Sequence, residues 1–154
     1  MEKLDAVIVD IDGTIAHMGS KEPPDRRPYD WDRVGEDEPI IPIINLVSMF
    51  RTMGFVIIFV SGRDACCREA TVKWLMTEGV SMDVGKEWAL VDEDQLFMRP
   101  KGNNEPDVIV KRKIYTDIIA PNYDVHYVLD DRNTVVKMWR DMGLTVLQVA
   151  DGDF

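Results

Sequence analysis

The sequence has few residues of the types that build disulfides and zinc sites: two cysteines and two histidines among 154 residues. Cys66 and Cys67 are adjacent, and neighbouring Cα atoms lie about 3.8 Å apart, below the usual disulfide range of roughly 4.4–6.8 Å. Two neighbouring residues also cannot supply the four ligands of a structural zinc site. His17 and His126 are isolated, with no partner at a metal-ligand spacing. We therefore expect reduced structural thiols on a helix and ordinary polar roles for the histidines.

Long apolar runs are also missing. None approaches the roughly 18–20 residues that a helix needs to cross a bilayer. The first residues, 1–5, do not place a basic region before an apolar one, as a secretion signal does. The sequence thus predicts a protein without membrane contact and with a cytoplasmic location.

Positive charge is scarce as well. The chain has 18 basic and 28 acidic residues, which gives a net charge of −10. A protein that follows a long nucleic acid through its phosphates needs a basic stripe, so this class of binder is disfavoured. A few Lys and Arg side chains with one metal ion can still hold a single terminal phosphate on an acidic surface.

Apolar runs alternate with helix-like stretches along the chain. A length of 154 residues suits a single domain, residues 1–154, with a sizeable core. Alternation of this kind predicts an α/β domain with a mostly parallel sheet flanked by helices, whose ligands bind at the carboxyl ends of the strands. The expected strands are 6–9, 55–60, 96–98, 125–129 and 145–149, and the expected helices are 42–53, 65–78, 107–119 and 134–142.

The segment His17–Pro39 departs from this alternation, because it is polar and contains four prolines. Loops longer than about 12–15 residues are unusual unless they are functional or disordered. Its place directly after the first strand suggests a cap over a site, and composition alone supports a surface insertion equally well. Tyr29 and Trp31, within this segment, are the aromatic residues that we would connect with a substrate.

Three strands end in polar residues that would meet at one edge of the sheet. These endings are residues 10–14, 61–64 and 130–133. Asp, Ser and Asn each favour helix starts, so any one ending could be capping chemistry. Asp10 and Asp12 are expected on the same side of an extended chain, where their charges would repel unless a cation or proton lies between them. The three endings together therefore indicate a divalent-metal site with an anionic substrate.

These residues resemble the motifs of the haloacid dehalogenase (HAD) superfamily of phosphotransferases: Asp10–Thr14, Ser61–Arg63, a lysine on a helix, and Asp130–Asp131. The resemblance implies the Rossmann-like HAD fold, with 17–39 as a small cap or loop insertion. It implies that Asp10 attacks phosphorus and forms an aspartyl-phosphate, while Asp12 acts as the general acid and then the general base.

The same resemblance implies a Mg²⁺ cofactor and its ligands. The metal residues would be Asp10, Asp12 through its backbone carbonyl, Asp130 and Asp131. The remaining phosphate oxygens would be held by Ser61, Gly62 and Lys111, with Lys113 as the competing lysine.

A narrower likeness links the chain to the 3′-phosphatase domain of bacteriophage polynucleotide kinase/phosphatases. It rests on residues 26–30, 119–121, 129–132, 137–140 and 152–154. It implies a 3′-phosphorylated end of DNA or RNA as substrate, and a kinase domain or a repair ligase as partner. No Gly-x-x-x-x-Gly-Lys-Ser/Thr motif is present, so this chain has no kinase half of that type.

The narrower likeness also implies three further site residues. Arg63 would contact the phosphate, Arg26 or Arg27 would supply an active-site arginine, and Asp107 would pair with Lys111 one helical turn away. Two alternatives stay open at this point. One is a HAD phosphatase of a small phosphomonoester or nucleotide, and the other is a non-catalytic Mg²⁺-dependent switch or binding module.

Overall fold

A five-stranded parallel sheet forms the centre of the computed structural model, which describes residues 2–19, 26–81 and 93–154. The sheet order is β5-β4-β1-β6-β7, and β2 and β3 form a separate antiparallel pair. The predicted α/β fold class is confirmed. The strands are β1 (Leu4–Val9), β2 (Ala16–His17), β3 (Glu38–Pro39), β4 (Val56–Asp64), β5 (Gln95–Arg99), β6 (Tyr123–Asp130) and β7 (Val146–Gln148).

Helices cover both faces of this sheet. None of the helices in the described ranges is long and apolar enough to cross a membrane. The α-helices are α1 (Ile41–Thr52), α2 (Arg68–Thr77), α3 (Asp107–Ile114), α4 (Ala120–Asn122) and α5 (Asn133–Asp141). Short 3₁₀ helices span Trp31–Glu36 and Ala65–Cys67, and a π-helical turn spans Tyr115–Ile119.

Alternation along β1 assigns its side chains to two cores. Val7 and Val9 pack in the core that contains residues of α1 and α2, whereas Ala6 and Ile8 pack in the core that contains residues of α3 and α5. Successive side chains of a strand point to opposite faces, so an unbroken apolar run is what a strand buried on both faces requires. The chain moves from β1 to β4 and β5, then returns to β6 on the other side of β1. Its switch point lies between β1 and β6, where ligands bind in folds of this kind.

The predicted helix 107–119 differs from the observed one. It consists of α3, the π-helical turn and the short α4, so the helical path continues past Pro121. Proline lacks an N–H donor and is tolerated in the first turn of a helix, and Pro121 occupies such a position in α4. The wider π-helical turn before α4 lets a new short helix begin there, which the sequence pattern did not predict.

The second predicted strand, 55–60, is longer than expected, because β4 runs to Asp64. The pairing of β4 with β5 changes register between Ser61 and Asp64. The following helix begins as a 3₁₀ turn with free thiols at Cys66, which is exposed, and Cys67, which is buried. The expected reduced thiols thus lie on a 3₁₀ turn rather than on the α-helix.

The described part of His17–Pro39 is attached to the core. β2 pairs with β3, and the 3₁₀ helix Trp31–Glu36 buries Val34. The Trp74 indole Nε1 donates to the Asp37 carbonyl at 2.8 Å. Residues 20–25 lie outside the described residues, and the role of the segment as a cap stays a prediction.

The last residues of the chain pack against the loop that follows β6. The Asn133 N–H, at the start of α5, donates to the Gly152 carbonyl at 2.9 Å. A Cβ on Gly152 would lie 1.8 Å from the Asp131 carbonyl oxygen, a contact with backbone that no side-chain movement can relieve. Glycine at position 152 therefore fixes how closely the tail approaches the Asp131 backbone.

We predict that Gly152→Ala lowers the free energy of unfolding by roughly 2–4 kcal/mol, because the tail must move and α5 loses a capping acceptor. Urea denaturation followed by circular dichroism measures this change. Gly35→Ala is the matched control, since a Cβ at Gly35 would meet nothing within 4 Å. Equal stability of the two variants would contradict the proposed packing.

Candidate active site

The carboxyl ends of β1, β4 and β6 bring the polar endings to one edge of the sheet. β1 pairs in register with β6 up to Val9 and Leu129, and the Asp10 N–H donates to the Leu129 carbonyl at 2.9 Å. β1 ends at Val9, so the strand alternation expected through Asp12 does not extend that far. Asp10 and Asp12 consequently have different partners.

Asp10 lies in a buried ion-pair cluster. The Lys111 ammonium, from the inner face of α3, donates to Asp10 Oδ1 at 2.7 Å and to Asp130 Oδ2 at 3.0 Å. The Thr14 hydroxyl donates to the other oxygen, Asp10 Oδ2, at 3.1 Å. All four of these residues are buried. The carboxylate of Asp10 is therefore held at both oxygens in a fixed orientation.

Asp130 is held more extensively than Asp10. Its Oδ1 accepts the Asp131 N–H at 2.9 Å and the Arg132 N–H at 3.4 Å. Its Oδ2 accepts the Trp139 indole Nε1–H at 3.2 Å as well as the Lys111 ammonium. Four donors on one carboxylate make Asp130 a fixed anchor for Lys111 and for the backbone that carries Asp131.

The side chains of Asp10, Asp130 and Asp131 form a buried acidic cluster, in which one carboxylate oxygen from each lies within 4.8 Å of the others. Burial raises the pKa of Asp10 well above its ordinary value, and repulsion from Asp130 adds to this, against the attraction of Lys111. Burial and the charge of Asp130 raise the pKa of Asp131 in the same way.

The charges of this cluster favour the binding of a cation. Burial alone would lower the pKa of Lys111, but Asp10 and Asp130 outweigh it and raise that pKa, so the ammonium stays charged. Three ionised carboxylates and one ammonium give −3 + 1 = −2, the charge that one divalent cation cancels. Oxygen ligands of this kind suit a hard cation such as Mg²⁺.

Gly13 makes room for Asp131 beside the turn that follows Asp10. Gly13 has φ of +81°, a conformation that glycine adopts without strain. A Cβ at this position would lie 2.1 Å from Asp131 Oδ2. Glycine is thus required here both by the backbone and by the acidic cluster.

Asp12 belongs to a second cluster, built around two arginines. Arg63 donates from Nε and Nη2 to the two carboxylate oxygens of Asp12, at 3.0 and 2.8 Å. Arg63 Nη2 also donates to Asp37 Oδ2 at 2.7 Å, and Arg26 binds both oxygens of Asp37 at 2.6 and 2.7 Å. Arg26 Nη2 lies 3.8 Å from Asp12 Oδ1. Asp37 therefore joins the two arginines beneath Asp12.

The register change in β4 explains the direction of Arg63. An irregularity between Ser61 and Asp64 inserts residues into the strand and re-aims the side chains there. Arg63 is buried, and its third nitrogen, Nη1, donates to the Thr71 hydroxyl at 3.1 Å on α2. The guanidinium is thus fixed by contacts on three sides.

Asp107 makes different contacts from those expected. It pairs with Arg99 and, at 2.9 Å, with Arg132 Nη1, whereas Lys111 pairs with the carboxylates of the acidic cluster. The predicted Asp107–Lys111 pair is wrong, because Lys111 points into the buried cluster from one turn further along α3. A Cβ on Gly62 would lie 2.7 Å from Asp107 Oδ1, so Asp107 packs against the Gly62 backbone.

The two residue choices left open by the sequence differ in their surroundings. Lys111 is buried among the carboxylates, whereas Lys113 is exposed on α3. Arg26 is buried, whereas the side chain of Arg27 is 86% exposed and pairs with Asp30. The geometry therefore favours Lys111 and Arg26 as site residues.

Ser61 lies at the same edge, near the end of β4. The Ser61 hydroxyl is buried and accepts the Arg63 N–H at 3.1 Å. The helix start after β4 is capped by Asp64, whose Oδ1 accepts the Cys66 N–H at 2.8 Å. A carboxylate therefore already occupies the amino terminus of this helix, and its N–H groups are not open to a phosphate.

Asp37 and Arg99 are not predicted from the sequence, and Arg132 is predicted only as part of the polar ending 130–133, with no role of its own. Asp37 lies at the end of the polar segment, 26 residues from Arg63, and no local motif marks it. Arg132 follows the Asp130–Asp131 pair directly, and this adjacency could have identified it. Arg99, at the end of β5, could have been found by treating every strand end as part of the site.

A second group of potential metal ligands lies elsewhere. Asp5, Asp124 and His126 bring one ligand atom each to within 4.8 Å of one another, and all three are exposed. Asp5 and Asp124 are near the amino-terminal ends of β1 and β6. This group is therefore at the opposite edge of the sheet from the acidic cluster.

Comparison with known proteins gives a consistent family. Residues 4–154 match the family described as the polynucleotide kinase PNKP phosphatase domain, of HAD type. The chain is 33% identical over 148 residues to the protein named "Putative bifunctional polynucleotide kinase/RNA ligase" of Autographa californica nuclear polyhedrosis virus. The match covers 94% of this chain and 19% of that protein, so the chain spans about one fifth of its relative.

Solved structures agree with this result. A chain of the Pnkp1/Rnl/Hen1 complex is similar with a TM-score of 0.85 and 31% identity, over 99% of this chain and 48% of that one. The class C acid phosphatase of Bacillus anthracis has a TM-score of 0.61 at 16% identity, over 99% of this chain and 70% of that one, and shows a shared fold alone. The predicted HAD fold and the predicted resemblance are confirmed. The chain belongs to the PNKP phosphatase-domain family and is a phosphatase of the HAD type.

Proposed function

We propose that this domain is a Mg²⁺-dependent polynucleotide 3′-phosphatase that removes a terminal 3′-phosphate through an aspartyl-phosphate on Asp10. The observation that supports it best is the pair of adjoining clusters: a buried, lysine-oriented Asp10 beside an arginine-held Asp12. The first cluster suits a nucleophile and the second suits an acid/base. Each step below follows from the contacts of these side chains.

Asp10 is suited to nucleophilic attack. Lys111 and Thr14 fix its two oxygens, so the carboxylate loses little further freedom when it approaches phosphorus. In the first step a bond forms between an Asp10 oxygen and phosphorus, and the bond from phosphorus to the 3′-oxygen breaks. A carboxylate nucleophile divides one difficult hydrolysis into two easier displacements.

Asp12 is suited to proton transfer. Its side chain is 47% exposed, in contrast to the buried carboxylate of Asp10, so a leaving group or a water molecule can reach it. Protonated Asp12 donates its proton to the departing 3′-oxygen. In the second step Asp12 takes a proton from the attacking water, and the bond between Asp10 and phosphorus breaks to release inorganic phosphate.

Cationic groups for the phosphate come from both clusters. Lys111 supplies an ammonium beside Asp10, and Arg63 and Arg26 supply guanidinium groups beside Asp12. Arginine suits phosphate because its planar fork donates two parallel hydrogen bonds. We infer that Ser61 and Gly62 line the same pocket through their position in β4.

The residues fit a magnesium ion. We propose Asp10, Asp131 and the Asp12 backbone carbonyl as its ligands, because Asp130 already accepts four donors. When bound, the ion would neutralise charge that develops on the phosphoryl oxygens. The buried acidic cluster, in which three carboxylates share the single ammonium of Lys111, supports this assignment.

The choice of a polynucleotide end as substrate is supported by the relatives. The matched family is the phosphatase domain of a polynucleotide kinase, and one relative is named as a kinase/RNA ligase. Another belongs to an RNA repair complex. We propose that this domain leaves the 3′-hydroxyl that a ligase activity needs, that a kinase domain or a repair ligase is its partner, and that it works in the cytoplasm.

We predict that Asp10→Asn abolishes release of phosphate from a 3′-phosphorylated oligonucleotide, with a loss of roughly 10³-fold or more, because the nucleophile is gone. Asp12→Asn should lose roughly 10²–10⁴-fold on the same substrate. With an activated aryl phosphate, Asp12→Asn should still give a burst of phenolate, since a good leaving group needs little protonation while the second step still needs a base.

Asp141→Asn is the matched control, because Asp141 is an exposed partner of Lys137 on α5. Parallel assays with 5′-nucleotides and sugar phosphates test the substrate, and assays with EDTA test the metal. Turnover of the small phosphates alone would contradict the proposed substrate. Wild-type hydrolysis by Asp10→Asn would exclude the covalent mechanism, and full activity in EDTA would exclude the magnesium requirement.

We predict that Lys111→Ala lowers kcat/KM by roughly 10²-fold or more, because the phosphoryl oxygens lose a preorganised cation. Lys113→Ala, on the exposed side of the same helix, should stay within about twofold of wild type. Steady-state kinetics with the oligonucleotide compare the two, after circular dichroism shows that each is folded. A larger loss in Lys113→Ala would assign the site lysine to position 113.

Asp37 is expected to act as a positioning residue for Arg26 and Arg63. We predict that Asp37→Asn raises KM more than it lowers kcat, because the two guanidinium groups lose the charged carboxylate that holds them in place beside each other. Breaking this buried pair should also cost roughly 3–5 kcal/mol of stability. Asp37→Glu, which keeps the charge, should recover part of the KM, and unchanged KM in Asp37→Asn would contradict the role.

A further inference from the structure

Residues 27–30 form a tight turn at the edge of the site. The Asp30 N–H donates to the Arg27 carbonyl at 3.1 Å, and the Arg27 N–H donates to Asp30 Oδ2 at 3.0 Å. The guanidinium of Arg27 binds the same carboxylate at 3.2 Å. These bonds and the Arg27 charge lower the pKa of Asp30, so the carboxylate that closes the turn stays ionised.

The turn is attached directly to the arginine cluster. Arg26 Nη1 donates to the carbonyls of Arg27 and Pro28, at 3.1 and 3.5 Å. The other nitrogens of the same guanidinium bind Asp37, and Nη2 lies 3.8 Å from Asp12 Oδ1. One buried side chain thus fixes the position of the turn relative to the proposed acid/base.

Tyr29 is the residue that this turn presents to solvent. It is 80% exposed, and its ring lies edge-to-face with Trp31 at a centroid distance of 5.9 Å and an interplanar angle of 81°. Trp31 is partly buried against the core. The chain therefore holds an open aromatic ring on a braced turn, three residues from a pocket arginine.

We propose that Tyr29 stacks on the base of the terminal nucleotide, so that the site recognises a polynucleotide end rather than any phosphomonoester. This inference rests on the proposed function. Three residues reach at most about 10 Å, which is comparable with the distance from a 3′-phosphate to the base of the same nucleotide. A phosphate at Arg26 and Arg63 would place that base within reach of the Tyr29 ring.

Charge also favours stacking as the source of recognition. The chain carries a net charge of −10, and the exposed cation of this turn, Arg27, is paired with Asp30. Binding beyond the terminal phosphate therefore gains little from ion pairs with the backbone. Stacking on an aromatic ring needs no net positive charge and accepts every base.

The test compares Tyr29→Ala, Tyr29→Phe and wild type on three phosphates: a 3′-phosphorylated oligonucleotide, the same oligonucleotide with an abasic terminal nucleotide, and glycerol phosphate. In Tyr29→Ala the ratio of kcat/KM for the oligonucleotide to that for glycerol phosphate should fall about tenfold. Tyr29→Phe should keep the ratio, since it keeps the ring. For wild type, removal of the terminal base should lower kcat/KM by the same factor as Tyr29→Ala lowers it on the intact oligonucleotide. Tyr29→Ala should have the same kcat/KM on the intact and the abasic oligonucleotide.

Met49→Ala, at an exposed apolar position on α1, is the matched control for surface truncation. The loss in Tyr29→Ala should be the same at about 50 and about 200 mM salt, as expected for stacking rather than phosphate contacts. If Tyr29→Ala kept the wild-type ratio, or lost kcat/KM equally on the intact and abasic oligonucleotides, this inference would be wrong while the proposed function would stand. If wild type hydrolysed glycerol phosphate but neither oligonucleotide, the proposed function would fail and this inference with it.

Discussion

The ion pair of Lys111 with Asp10 and Asp130 is the interaction on which the site depends. The register of β1 with β6 places two carboxylates side by side, immediately beyond Val9 and at the end of β6. Burial and repulsion from Asp130 raise the pKa of Asp10, which disfavours its ionised, nucleophilic form. The ammonium prevents this only partly, since the cluster keeps an excess of negative charge. A divalent cation is the remaining component that such a site favours.

In the arginine cluster the like charges that lie close together are cations, and carboxylates balance them. Two buried guanidinium groups, Arg26 and Arg63, would repel one another, and Asp37 lies between them as their shared partner. Asp12, which is partly exposed, supplies the second negative charge and so balances the two arginines. The site thus consists of two adjoining clusters. Carboxylates are in excess in the acidic cluster, which favours a metal ion, whereas two guanidinium groups and two carboxylates balance in the arginine cluster, whose arginines are suited to a phosphate. Their separate partners explain how two aspartates only one residue apart can have separate roles under the proposed mechanism.

The parts of this arrangement that sequence could predict are those encoded by local pattern. Apolar runs with the length of strands predicted the sheet, and the polar endings of those strands predicted Asp10 and Asp130 at one edge. The rest depends on side chains that meet from distant parts of the chain. Asp37 has no motif, and its partnership with Arg63 arises from a register change that no residue pattern announces. The expected pairing of Asp107 with Lys111 followed from helical spacing. Lys111 instead binds two buried carboxylates, with which a neighbour on the same helix cannot compete. Asp107 binds Arg99 and Arg132.

Under the proposed function, an acidic domain must select the end of a nucleic acid. Internal phosphates of a polynucleotide carry one charge each and are flanked by sugars, so they gain little from a surface of net charge −10. A terminal phosphomonoester is more highly charged, and under the proposed function its cationic partners are Lys111 beside Asp10 and Arg26 and Arg63 beside Asp12. The acidic surface then disfavours binding along the strand, while the local cations favour the terminus. Under the proposed function, the negative charge that argues against a nucleic-acid-binding protein becomes a source of its selectivity for ends.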